Sequence, residues 1–245
     1  MRQFPQRPAL PRDITRKLSQ ETKLIVNAVD KKAEAARRYS NARQSKWFKP
    51  ALKALRRLSG PGERCMFCSG SESSDVEHYR PKAIFPELAL GWENLLWSCG
   101  ICNGAKSNQF PTGADQVLIN PLGENVWDFF FIDEFGQLTA RWSIQHNDQH
   151  PRAISTMQII KLDRQALQEA RQQRLLDLQE RVKDSISLFE SGKISKVELK
   201  SRVGRWLKNA FQPDVADYFL NGPGREDEPF ASLFTLLKRK RGYSP

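Results

Sequence analysis

Two pairs of cysteines carry the plainest chemistry in this sequence. Cys65-Met66-Phe67-Cys68 and Cys99-Gly100-Ile101-Cys102 are both C-x₂-C knuckles, with thirty residues between them. Such a pair lets two thiolates reach one metal ion from a tight turn, and two pairs complete a tetrahedral zinc site with Zn–S near about 2.3 Å. Four thiolates leave no open coordination position, so the ion would be structural and would not do catalysis. Disulfides or a thioredoxin-like redox pair are the rival uses. The opening MRQFPQRPALPR has no apolar signal-peptide segment and no βαβ pattern surrounds the knuckles, so zinc is the expectation.

The interval between the knuckles is longer than in a simple zinc ribbon. It reads Asp75-Val76-Glu77-His78-Tyr79-Arg80-Pro81-Lys82 and later Trp92-Glu93-Asn94-Leu95-Leu96-Trp97. His78 is the only histidine near the cysteines. An imidazole of ordinary pKa, near about 6.5, can be neutral at working pH and accept a proton from water. Phosphodiester hydrolysis needs such an activated water and a cation beside the scissile phosphate. On a strand the Glu77 side chain points away from that of His78 unless the strand ends there. Asn103 and Lys106 follow the last knuckle three residues apart, hence on one helix face. Lys106 and Arg80 are placed to meet phosphate, helped by free N–H groups at the helix N-terminus. His146 and His150 are four apart, but Asn147, Asp148 and Pro151 indicate a loop rather than a helical metal pair.

The elements that must position these residues follow from periodicity. Pro5, Pro8 and Pro11 keep the start extended. Leu18, Thr22, Ile25, Val26, Val29, Ala33 and Ala36 predict one helix over 13–43, and Pro50 opens a second that Gly60-Pro61-Gly62 stops. Trp47 and Phe48 read as packing between these helices. From 117 to 144 the pattern turns β: VLIN, Trp127–Ile132 and Leu138–Ile144, the last two flanking the turn Asp133–Gly136, with Phe129–Phe131 as strand core. Helix returns from about 152 to Ser191-Gly192, then about 195–210 and 230–240, and Lys238–Arg241 reads as a solvated basic helix end.

Composition bounds the whole. The chain has 245 residues, net charge +11, 39% hydrophobic and 27% charged residues, which fits a globular protein rather than a disordered one. No apolar run approaches the roughly 18 residues of a membrane helix. The excess charge is localised: residues 1–60 carry a net +12 and the remainder −1. A concentrated cationic surface favours polyanions through counterion release.

Taken together, EHYRPK, then WENLLWSCGICNGAKSNQFP, resembles the HNH endonuclease superfamily with its ββα-metal core. Within it the wording is similar to the HNH subunit of Septu-type and retron-associated bacterial anti-phage defence systems. The strong likeness covers about residues 60–120; a weaker one, LINPLGENVWDFFF and IIKLDRQALQEAR, extends to about 175. The resemblance implies an α+β fold, mostly α-helical, with a zinc-stapled ββα core (61–115) set between a basic N-terminal helical region (1–60), a β-hairpin insertion (116–150) and a C-terminal helical region (151–245). It implies His78 as general base, Asn94 as the loop brace that orients it, and Mg²⁺ or Mn²⁺ held by Asn103 with Glu77 or Asp75, beside structural zinc on Cys65, Cys68, Cys99 and Cys102. The implied partners are nucleic acid, DNA or RNA, an ATPase subunit, and in some systems a retron reverse transcriptase and its RNA; the implied location is cytoplasmic, with no membrane contact. The alternatives are a stand-alone HNH nuclease of a mobile or restriction element and an inactive zinc-stapled nucleic-acid-binding module.

Overall fold

Three elements open the chain rather than the two expected. In the computed structural model, which describes residues 1–2, 4–70, 73–208 and 211–238, α1 (Arg12–Val26) and α2 (Lys31–Gln44) replace the single helix expected over 13–43. Asn27 caps α1, and the Asp30 side chain accepts the Ala33 N–H at 2.9 Å to start α2. The break lets α2 fold back on α1. Val26 and Val29, read as part of the stripe, are exposed at the corner, while Ile14, Leu18 and Ile25 are buried. A 3₁₀ turn (Lys46–Phe48) leads into α3 (Lys49–Leu58), with Pro50 in the first turn. Phe48, Ala51, Leu55 and Leu58 face the core, and Gly60 at φ 79° ends the helix in a conformation that favours glycine.

Next comes an antiparallel pair, β1 (Asp75–His78) and β2 (Leu95–Ser98), followed at once by α4 (Gly100–Lys106). The register is Asp75↔Ser98, Val76↔Trp97, Glu77↔Leu96 and His78↔Leu95. α3 packs on β2 and α4 on β1. The proline-rich start is strapped to this hairpin: the Arg7 guanidinium donates to the carbonyls of Glu93 (3.0 Å) and Leu95 (2.6 Å), and Trp92 Nε1 donates to Pro8 O.

Val117–Asn120 is not a strand. Leu118 and Ile119 are buried, but their backbone is satisfied by side chains: Thr156 Oγ1 accepts the Ile119 N–H (2.9 Å) and Arg152 donates to the Val117 carbonyl (2.9 Å). Trp127 sits in a 3₁₀ turn. β3 (Phe130–Ile132) and β4 (Leu138–Ala140) form a hairpin around the Asp133–Gly136 turn, with the Asp133 carboxylate accepting from Phe135 and Gln137 N–H. Gly136 has φ 77°, and a Cβ there would lie 2.4 Å from Gln172 N, so only glycine lets this turn press on the helix beneath. A second small pair, β5 (Trp142–Ser143) and β6 (Asp148–Gln149), holds His146 in its turn.

The helical run from 152 is likewise broken. α5 (Pro151–Ile160) ends at Lys161 in the left-handed region (φ 54°), and α6 (Gln165–Glu190) follows up to Gly192. A capping box of Ser195 and Glu198 starts α7 (Lys196–Leu207). α8 (Pro213–Asn221) is an element the sequence reading did not name; it buries Val215, Ala216, Tyr218 and Phe219. α9 (Phe230–Lys238) stacks Phe230 on Phe219 with ring centroids 3.8 Å apart; the Arg239–Arg241 end lies outside the described residues. The chain is thus α+β and mostly helical, with small two-stranded sheets. Among the described residues no helix is long and apolar enough to cross a membrane.

Candidate metal centre and adjoining histidine site

The two knuckles meet because β2 carries one to the other. Met66 N–H donates to the Trp97 carbonyl (2.9 Å), docking the first knuckle beside the end of β2, and Cys99 directly follows that strand as the residue capping α4. All four cysteines are buried and unbridged, with their sulfurs within 4.8 Å of one another. Cys68 Sγ and Cys99 Sγ stand 3.9 Å apart. A tetrahedral Zn–S₄ centre with bonds near about 2.3 Å has edges of about 3.8 Å, so the spacing fits an ion and is far from a disulfide's roughly 2.05 Å. Burial pushes the Cys65 thiol up, hydrogen bonding from Cys65 and the other two sulfurs together with burial pushes Cys102 up, and hydrogen bonds from Cys102 and Cys65 bring Cys99 down to about 6. Such a cluster reaches four thiolates only when a cation neutralises it. The Arg164 guanidinium, at the start of α6, approaches Cys102 Sγ at 3.8 Å and also donates to the Lys161 carbonyl. Nothing in the cysteine spacing announces Arg164; it arrives from 62 residues away in sequence.

At the other end of the hairpin, β1 stops at His78 and sends its last two side chains to different neighbours. The His78 ring is 4% exposed and packs edge-on against Tyr39 of α2 at 4.5 Å between centroids. Its Nε2 lies 2.8 Å from the Ala89 carbonyl. A carbonyl only accepts, so Nε2 carries the proton and Nδ1 is left with the lone pair. Nδ1 has no protein partner among the described residues and is not among the fully buried unpaired atoms. Burial lowers the His78 pKa to about 4, against the Ala89 bond and with Lys82, Lys106 and Arg43 nearby lowering it further. The ring is therefore neutral at pH 7.

Asn94 fixes the loop that supplies that carbonyl. Its Oδ1 accepts the Arg80 N–H (2.8 Å), and its Nδ2 donates to the carbonyls of Arg80 (2.9 Å) and Leu88 (3.1 Å), the residue before Ala89. The sequence did not single out Tyr39: the stripe read from it ran through Ala33 and Ala36, which are exposed, whereas α2 buries Ala35, Tyr39 and Ala42.

The Glu77 carboxylate points instead to α4. Lys106 is fully buried, and its Nζ donates to Glu77 Oε1 at 2.7 Å and to the His78 carbonyl at 2.8 Å. The sequence placed Lys106 toward phosphate; the structure places it inside, because its position in the last turn of α4 faces β1 and Glu77 is the acid there. Burial raises the Glu77 pKa and lowers that of Lys106, each opposed by the other's charge. Asp75 is more exposed and faces Arg43 at 3.4 Å. Asn103, in α4, is half-buried and makes no side-chain bond within the described residues. The oxygens of Glu77, Asp75 and Asn103 are hard donors of the kind that suit Mg²⁺ or Mn²⁺. Both carboxylates, however, already hold a cationic side chain, so an ion would have to displace or share it. Arg80 is exposed, its guanidinium lying over Phe85 and Phe110.

His146 and His150 fall on a loop as expected: His146 bonds Ser143 (2.8 Å) and Asp115 (3.2 Å). Among the described residues the four cysteines are the one group of three or more ligand side chains close enough to share an ion.

No protein-family model matches the chain. It is 32% identical over 98 residues to the Septu protein PtuB of Bacillus thuringiensis, which covers 38% of this chain and 37% of that protein. It is 31% identical over 80 residues to protein ea31 of Escherichia phage lambda, covering 32% of this chain and 26% of that protein. The chain therefore matches little more than a third of the length of PtuB and about a quarter of ea31. Over the matched segment, this protein is related to Septu PtuB.

Proposed function

We propose that the protein is an HNH-type endonuclease, hydrolysing phosphodiester bonds in DNA or RNA as the nuclease component of a Septu-like antiviral defence system. The observation that carries this reading is His78. One ring nitrogen is locked by a backbone carbonyl, the other is left as acceptor, and the ring is neutral. It sits at the end of a hairpin whose other end is a buried four-thiol cluster. In this reading His78 Nδ1 takes a proton from the attacking water while Ala89 and Tyr39 hold the ring, and Asn94 holds the loop. Glu77 or Asp75, with Asn103, would hold Mg²⁺ or Mn²⁺, which when bound neutralises charge at the scissile phosphate. Arg80 is the exposed cation placed to meet the backbone; Lys106 acts as the counter-ion of Glu77. The four-part organisation at 1–60, 61–115, 116–150 and 151–245 belongs to this proposal, as do a PtuA-like ATPase partner, a retron reverse transcriptase with its RNA where the system carries one, and action in the cytoplasm. The relationship to PtuB supports the defence role and the ATPase partner.

The test is cleavage of plasmid DNA and total RNA by the zinc-loaded protein in a Mg²⁺ titration, with and without the candidate ATPase. Wild type is expected to cut and His78→Ala to lose about 10²–10⁴ in rate, with zinc content and melting retained. Undiminished cutting by a folded His78→Ala protein would overturn the assignment.

A further inference from the structure

The +12 of the first 60 residues is not a uniform cationic surface. On α1 and α2 much of it is neutralised internally. Glu34 holds Arg37 and Arg38, both at 2.6 Å, and Glu21 holds Lys17 (2.8 Å) and Arg38 (2.5 Å). α3 differs. It contains no acidic residue, and Lys49, Lys53 and Arg57 are exposed with no ion pair among the described residues. Steps of four residues put these three cations on one helix face, and they line an open groove of about 830 Å³. The groove's single acid, Glu63, is engaged by Arg56 at 3.7 Å. Arg56 in turn lies over the Trp97 ring (5.0 Å), on the strand paired with β1.

We infer that the α3 groove is a binding track for the sugar-phosphate backbone of a nucleic acid, separate from the His78 site and joined to it through β2. From Lys49 to Arg57 the helix rises about 12 Å, which, laid along a duplex axis, matches three to four phosphates of one strand at about 3.4 Å of axial rise each. The cations rim an apolar floor that includes Leu52 and Pro61, and exposed cations of this kind suit sequence-independent backbone contact. An acidic protein surface would also meet these charges. A polynucleotide is favoured because α3 packs on β2, the partner strand of the one that ends in His78, so groove and ring are fixed to one hairpin. The inference rests on the nuclease reading for its purpose, and its own test is binding.

That test measures fluorescence anisotropy of a labelled 20-base-pair DNA duplex and a labelled single strand as a function of salt, using the zinc-loaded protein without added Mg²⁺. Lys49→Gln/Lys53→Gln/Arg57→Gln is expected to lower the log–log salt slope by about 2 to 3 and the affinity at low salt by at least about tenfold. A control, Lys23→Gln/Lys31→Gln/Lys32→Gln, removes the same charge from the exposed α1–α2 corner and is expected to change the slope by less than half as much. Equal slopes for the two variants would reduce the effect to net charge and overturn the groove. So would binding of poly-L-glutamate as tight as that of the duplex at matched salt, which would point to an acidic protein instead. Wild-type protein that binds but never cuts would sink the nuclease reading and leave the groove standing; cutting by wild type together with an α3 variant whose salt slope is unchanged would do the reverse.

Discussion

The two ends of one hairpin of four-residue strands solve opposite problems. Where Asp75 pairs with Ser98, four like side chains converge on a single point; where His78 pairs with Leu95, two neighbouring unlike side chains diverge. The cysteines converge because each knuckle is a local turn, and the docking of Met66 on Trp97 and of Cys65 beside Ser98 joins them. Glu77 and His78 diverge because a strand alternates its side chains, so one is captured by α4 and the other by α2. A cluster of identical ligands tolerates imprecision, since any four sulfurs about a tetrahedron edge apart will serve. A lone base does not, and here its placement depends on Ala89, Asn94 and Tyr39, three residues from two different elements.

The largest effect should come from the converging end. Cys99→Ser is expected to abolish stoichiometric zinc and cooperative melting of the core, since structural zinc supplies on the order of 10 kcal/mol to small domains. Metal analysis with a circular-dichroism melt decides it, and a zinc-free variant that melts like wild type would remove the metal from the fold.

The diverging end should respond next. Lys106→Met strands a buried carboxylate and is expected to cost about 3–5 kcal/mol in urea denaturation. Adding Glu77→Leu should return most of that, because the pair is then replaced by apolar bulk. A Lys106→Met protein as stable as wild type would mean that the ammonium reaches solvent.

Acid should separate the two neighbours further. Unfolded His78 titrates near about 6.5 and folded His78 near about 4. Between those values the unfolded chain binds the extra proton. Stability contributed by His78 is therefore complete above about pH 6.5 and falls as pH drops toward 4, by about 3 kcal/mol in all. Comparing urea midpoints of wild type and His78→Asn at pH 7 and pH 4.5 isolates this from acid release of zinc. Parallel losses in the two proteins would show that the ring is not buried neutral.

The smallest effect belongs to the residue joining the four-cysteine cluster to the C-terminal helices. Arg164→Gln should leave the fold intact while weakening zinc retention about tenfold against a competing chelator, because the guanidinium offsets thiolate charge from outside the ligand set. Unchanged retention would reduce the contact at Cys102 to packing.

Legibility followed the range of the interactions. The knuckles, the Asp133–Gly136 turn, the Pro50 helix start and the Gly192 stop are local signals, and each appears where its residues stand. The single helix over 13–43 did not survive, because a cap at Asp30 and the gain from folding α2 onto α1 outweighed continuous periodicity. VLIN reads as a strand, but side chains from α5 satisfied its backbone before any strand could.

By itself, then, the sequence determined the four cysteines of the cluster and the asymmetry of charge, since these are written in residue type and short spacing, while the order strand–strand–helix around them was implied by the resemblance. Which way Lys106 points, that Arg164 reaches the thiols, that Tyr39 covers His78, and which of the N-terminal cations remain unpaired were decided only by tertiary packing. Those outcomes depend on contacts between residues far apart in the chain, and burial decides whether a charge faces water or must find a partner inside.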